Sequence, residues 1–153
     1  MSEDNGPPEV LPTSDFTVVD APVDVVMDVI ADFAGYPEWA ESITAAEVLS
    51  VGADDRPDRV RFELDAGAIT DEYVLQYSWS ADGRSVEWRL ESSTLMRSQT
   101  GSYRLAPVGD GTQVDYRLEL ELMVPVIGRL RSRAERRIIG AALSELKRRV
   151  EAR

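Results

Sequence analysis

The chain has 153 residues, 43% of them apolar, with a net charge of −11 and neither histidine nor cysteine. Within one chain this excludes Ser-His-Asp and Cys-His catalysis, thiol nucleophiles, disulfides, and ligation of zinc, haem or iron–sulfur clusters by His or Cys. Acid–base chemistry falls to Asp, Glu, Tyr, Lys and Arg, and the sequence calls for no metal and no cofactor.

Residues 1–14 (MSEDNGPPEVLPTS) are acidic and Pro-rich and read as a disordered leader. They have no basic start and no apolar stretch, so they do not read as a secretory signal. No apolar run approaches the roughly 18 residues of a membrane span, and the default compartment is the cytoplasm. Residues 15–153 fit one domain.

Asp15–Asp20 reads as a strand with Phe16 and Val18 on one face. Pro22 suits a first helical position, and Asp24 favours the positive end of the helix dipole. Val26, Val29, Ile30 and Phe33 then follow at helical spacing. Ala34 and Gly35 break that helix. Pro37 starts a second short one, which carries Trp39.

From Thr44 the period becomes two. Thr44–Gly52 is a strand, and Val60, Phe62 and Leu64 share a face of the next. Ile69, Asp71, Tyr73, Leu75, Tyr77 and Trp79 share a face of a long strand. Asp82-Gly83 marks a hairpin before Val86, Trp88 and Leu90. Leu95, Arg97, Gln99, Gly101, Tyr103 and Leu105 alternate next, and Asp110-Gly111 marks another turn. Val114, Tyr116, Leu118, Leu120 and Leu122 oppose a charged face, as in an antiparallel sheet with one wet side.

A helix follows from about Gly128 to Glu151. Its apolar stripe is Leu130, Ala134, Ile138 and Ala141, then Ile139, Ala142, Leu143, Leu146 and Val150, with a bend or change of packing face predicted near Gly140. Residues 128–153 hold nine basic residues against three acids, a net +6. That leaves −17 for the rest of a chain whose total is −11.

The order is strand, two helices, six strands, long helix. Val18-Val19-Asp20-Ala21-Pro22, Asp32, Tyr36-Pro37-Glu38-Trp39, Gly101-Ser102-Tyr103-Arg104-Leu105, Gly111-Thr112-Gln113-Val114 and Leu143-Ser144-Glu145-Leu146-Lys147 before Glu151 appear in that order. With these residues the chain resembles the START-like, helix-grip (SRPBCC) superfamily, in the polyketide cyclase/dehydrase and lipid-transport group. The resemblance covers about residues 15–151. It implies an α+β fold: a seven-stranded curved antiparallel sheet wrapped around a long C-terminal helix, with two short helices between strands 1 and 2. It also implies a cavity under that helix for a lipid, polyketide, isoprenoid or other hydrophobic molecule.

Candidate ligand-binding residues are Trp39, Asp71, Tyr73, Tyr77, Trp88, Arg97, Gln99, Tyr103 and Ile138. The aromatic ones serve equally as core, although buried phenols and indoles need hydrogen-bond partners that a wet cavity supplies. Asp71, Arg97 and Gln99 fall on faces that otherwise read as inward. They either orient a polar head group or are turned outward by a bulge or a strand end.

The leading expectation is a non-catalytic carrier. The alternative is an aromatase/cyclase with Asp71 as base and Arg97 or Tyr73 as donor. The third reading is a ribosome- or membrane-associated interaction module whose basic C-terminal helix makes peripheral contact with anions. The net −11 and the absence of interleaved aromatics argue against nucleic acid. Charged outer strand faces point to a monomer.

Overall fold

The fold is that of a computed structural model, which describes residues 13–67, 69–123 and 128–152. Its strands are β1 (Thr13–Val19), β2 (Ile43–Val51), β3 (Pro57–Asp65), β4 (Thr70–Trp79), β5 (Ser85–Ser93), β6 (Met96–Val108) and β7 (Gly111–Leu122). Its helices are α1 (Val23–Ala31), α2 (Tyr36–Trp39, after a single 3-10 turn at Phe33–Gly35) and α3 (Gly128–Glu151). One antiparallel sheet runs β1-β7-β6-β5-β4-β3-β2, so β2 to β7 form a meander and β1 closes beside β7. This is the expected helix-grip α+β architecture.

β1 begins at Thr13, two residues inside the expected leader. The rest of that leader, Met1–Pro12, lies outside the described residues. Phe16 and Val18 share a face, but it is the outer one; Val19 is the fully buried residue of β1.

The hairpin between β6 and β7 uses Gly109-Asp110 rather than Asp110-Gly111. Val108 pairs with Gly111, and the positive φ of 58° belongs to Gly109. A two-residue hairpin with its left-handed residue first wants Gly there. Gly111 is glycine for another reason: a Cβ there would stand 2.6 Å from the Val19 carbonyl oxygen. Next to it, the buried Thr112 hydroxyl donates to the Ala21 carbonyl at 2.7 Å, fixing the turn from β1 into α1.

α3 is continuous through Gly140, and its buried stripe does not change face there. The stripe is Glu135, Ile139, Leu143, Leu146 and Val150, while Ala134, Ile138 and Ala141 are exposed. The sequence pattern misleads because a carboxylate takes a core position. Among the described residues β1 pairs with β7 as far as Leu118, two residues short of Leu120. The Leu120 amide is taken up by α3. Glu135 accepts from that amide at 2.8 Å and from the Thr13 hydroxyl at 2.6 Å. A buried charge is tolerated when hydrogen bonds satisfy it. Further along, Lys147 donates to the Val18 carbonyl at 2.6 Å, and Glu151 accepts from the Asp20 amide at 2.9 Å. α3 is thereby fixed along β1 and β7.

Candidate functional site

The concave face of the sheet is aromatic. Phe62 stacks on Tyr73 with centroids 5.3 Å apart, and Tyr77 lies 4.8 Å from Phe33 and 5.8 Å from Trp88. Trp88 meets both Tyr103 and Tyr116 at 5.5 Å. Strand alternation places Phe62 on β3, Tyr73 and Tyr77 on β4, Trp88 on β5, Tyr103 on β6 and Tyr116 on β7, so they form a continuous layer. At its rim Trp39 of α2 packs on Tyr36 at 4.8 Å. The fold therefore brings Tyr73, Tyr77, Trp88 and Tyr103 together, with Trp39 at the edge.

All five tyrosines point into this region. Burial, assisted by the neighbouring phenols, holds Tyr36, Tyr77, Tyr103 and Tyr116 well above the ordinary phenol pKa. Burial, with Asp71 second, raises Tyr73 as well. They remain neutral donors at any physiological pH. Tyr36 donates to the Ile30 carbonyl at 2.5 Å. No hydrogen bond joins the hydroxyls of Tyr73, Tyr77, Tyr103 or Tyr116 to a described residue.

The two charged candidates do not meet. Asp71 is buried, but its carboxylate is taken up by the turn between β5 and β6. It accepts from the Ser93 hydroxyl at 2.8 Å, from the Thr94 amide at 3.0 Å and from the Thr94 hydroxyl. Arg97 is exposed. A bulge between Met96 and Ser98 inserts an extra residue, so Met96 and Gln99 point inward and Arg97 does not. The expectation that Arg97 shares the inner face with Gln99 is corrected on that ground.

Gln99 is half-buried and spends its carbonyl on the Trp88 indole N–H, at 2.9 Å. Trp88 in turn lies across Gly101, where a Cβ would come within 2.3 Å of the indole. Ile138 sits on an exposed flank of α3, 44% accessible.

Tyr116, which shares the inner face of β7, lies in this layer too, and Tyr36 and Glu145, which the sequence offers only as motif residues, lie beside it. Glu145 is half-buried on the flank of α3 that faces α2, where it accepts from the Glu41 amide. Burial first, and the Glu41 carboxylate after it, raise its pKa, and its charge is felt at Tyr103. Nothing in LSELK marks Glu145, because a helical Glu two-thirds of the way round from a core stripe is normally solvated.

Two surface clefts, of about 470 and 420 Å³, lie around α1 rather than on the aromatic face. The first is lined by Met27, Arg56, Arg84 and Pro107 among others, the second by Asp28, Asp32 and Arg149. Among the described residues no group of three or more acidic side chains is placed to hold a metal, and no helix is long and apolar enough to cross a membrane.

A family model described as polyketide cyclase / dehydrase and lipid transport matches residues 13–151. No curated protein matches the chain significantly. Among solved structures, a START superfamily protein from Mycobacterium smegmatis superposes with a TM-score of 0.87 at 21% identity, covering 92% of this chain and 97% of that one. The Zhui aromatase/cyclase from Streptomyces sp. R1128 gives 0.78 at 18% identity, covering 92% and 93%. The di-domain ARO/CYC BexL of the BE-7585A biosynthetic pathway gives 0.75 at 19% identity, covering 92% of this chain and 46% of its own. Identities this low establish a shared fold.

Proposed function

The chain belongs to the polyketide cyclase/dehydrase and lipid transport family, and on that premise we propose that it binds a neutral, oxygen-bearing hydrophobic small molecule between the sheet and α3. The observation that carries this reading is the set of phenols at Tyr73, Tyr77, Tyr103 and Tyr116, which have no partner among the described residues. Apolar walls with a few convergent donors suit a ligand whose body is hydrophobic and whose carbonyl or hydroxyl oxygens need hydrogen bonds. An ionised fatty acid suits the site less well. The cation expected on this face, Arg97, is exposed, and the inner phenols stay uncharged.

Native mass spectrometry of gently purified protein, followed by organic extraction, tests the proposal. The expected result is a bound small molecule carrying carbonyl or hydroxyl groups. A Tyr103→Phe, Tyr116→Phe double variant should hold it more weakly, by about fivefold for each neutral hydrogen bond lost. If no adduct appears, and a fluorescent apolar probe fails to bind the wild type, the proposal is wrong.

The cyclase reading draws support from Glu145. A carboxylate with a pKa raised by burial, whose charge reaches the Tyr103 phenol, is the kind of group a base acting with a carbonyl-polarising donor would need. Asp71, already committed to Ser93 and Thr94, suits that role less well. Loss of turnover of a poly-β-ketone in Glu145→Gln, with ligand binding intact, would favour this second reading.

A further inference from the structure

Large apolar side chains are exposed at one end of the sheet. Ile69 in the β3–β4 loop is 54% accessible, Leu95 in the β5–β6 turn 39%, and Met123 just after β7 51%. They form one rim. The Met123 amide donates to the Leu95 carbonyl at 2.9 Å. Asp71, two residues after Ile69, binds the Thr94 amide next to Leu95. The same end is where α3 begins: β7 runs towards the rim and α3 returns from it, with Glu135 level with Leu120.

The first three turns of α3 are strongly basic. Arg133, Arg136 and Arg137 are exposed, whereas the only acid among residues 128–139, Glu135, is buried and bonded to the sheet. The ion pairs of α3 among the described residues are in its C-terminal half, Lys147–Glu151 and Arg149–Glu38. The acids at the adjoining loops and strand ends include the exposed Asp65, Glu121 and Glu41, and Asp71, which is buried and bonded to Ser93 and Thr94. The rest of the chain is strongly acidic, so this end is the one that an anionic surface would attract.

Exposed apolar residues at loop tips beside a cluster of Arg match the two terms that hold a peripheral protein on an anionic bilayer: insertion of apolar side chains at the headgroup boundary and attraction to acidic lipid. An RNA partner would use the Arg cluster but gain nothing from Met123, Leu95 and Ile69. We infer that this end of the molecule docks on an anionic lipid bilayer, with Met123, Leu95 and Ile69 entering the interface and Arg133, Arg136 and Arg137 facing acidic headgroups. The docking does not depend on what occupies the aromatic face.

Vesicle flotation tests it, using phosphatidylcholine alone and phosphatidylcholine mixed with phosphatidylglycerol. The full chain should float with the mixed vesicles at low salt and not with the neutral ones, and high salt should release it as the screening length falls to about 3 Å near 1 M. Replacing Arg133, Arg136 and Arg137 together by Gln should weaken partition roughly a hundredfold. Met123→Asp should weaken it about tenfold with the Arg cluster intact. Arg104→Gln, on the outer face of β6, serves as the control and should change little. Circular dichroism checks that each variant is folded, and Met123→Asp tests the proposal alone if the triple variant is not. Failure of the wild type to float with anionic vesicles at low salt would overturn the proposal. So would flotation that Met123→Asp leaves unchanged, or tighter binding to RNA than to vesicles with the same indifference to Met123.

Discussion

Raising the pH should unfold this protein steeply, and its tyrosines set the slope. A phenol titrates near 10 when the chain is unfolded. In the folded chain burial pushes all five upward. A group whose folded pKa is raised contributes stability that is complete below its unfolded pKa and is lost as pH rises beyond it, because the unfolded chain then releases protons that the folded chain keeps. Each excluded tyrosine removes roughly 0.4 kcal/mol by pH 10 and about 1.4 kcal/mol by pH 11. Five together remove about 7 kcal/mol by pH 11, comparable with the whole stability of a typical domain, about 5–15 kcal/mol. The assay follows phenolate by ultraviolet absorbance and the fold by circular dichroism along one alkaline titration. Both signals should change together in a single cooperative step. Tyr103→Phe should retain about 1.4 kcal/mol more stability at pH 11 than the fivefold loss allows the wild type. If phenolate appears at the ordinary pKa while the circular dichroism is unchanged, the tyrosines are not excluded from water and the argument fails.

Other expected outcomes concern single contacts. Gly101→Ala should cost about 1–3 kcal/mol in urea unfolding, because its Cβ collides with the Trp88 indole; adding Trp88→Leu should recover part of that loss. Asp71→Asn should lower stability by about 1–3 kcal/mol and speed amide exchange at Thr94, with the affinity for an apolar probe nearly unchanged. Unaltered Thr94 exchange would show that the carboxylate does not hold that turn. Glu135→Ala should cost about 2 kcal/mol and expose the Leu120 amide to exchange, a readout that mere loss of helix propensity would not move.

The alternation of Val114, Tyr116, Leu118, Leu120 and Leu122 made β7 readable, and the turn glycines made its neighbours so. The motif residues that carried the family resemblance turn out to hold the frame. Gly111 admits the Val19 carbonyl, Thr112 ties Ala21, Gly101 admits Trp88, and Lys147 and Glu151 bind β1. These residues are informative about fold for that reason, while Tyr36, Trp39, Tyr103 and Glu145 of the same motifs lie at the aromatic face.

What the sequence hid had local physical causes. A single bulge at β6 reversed the reading of Arg97, since period-two reasoning cannot see an inserted residue. Asp71 lies on a face that alternates with apolar residues, but the partners that take up its carboxylate lie 22 and 23 residues away. Glu135 was invisible as a core position because the groups that satisfy its carboxylate, the Leu120 amide and the Thr13 hydroxyl, lie 15 and 122 residues away.

The two borders of the sheet are guarded by different means. Unpaired strand edges invite another chain to add on. Beside β1, side chains of α3 occupy the positions an incoming strand would use: Glu135 at Leu120, Lys147 at Val18 and Glu151 just beyond at Asp20. β2 has no such cover and exposes Val48, Leu49 and Val51. Its hydrogen-bond register slips between Ile43 and Ala45, between Val48 and Ser50, and between Ser50 and Val51. A strand so interrupted is a poor template. An apolar edge is thereby made a poorer template for strand addition by its irregularity, and the exposed Glu47 carboxylate adds charge to it.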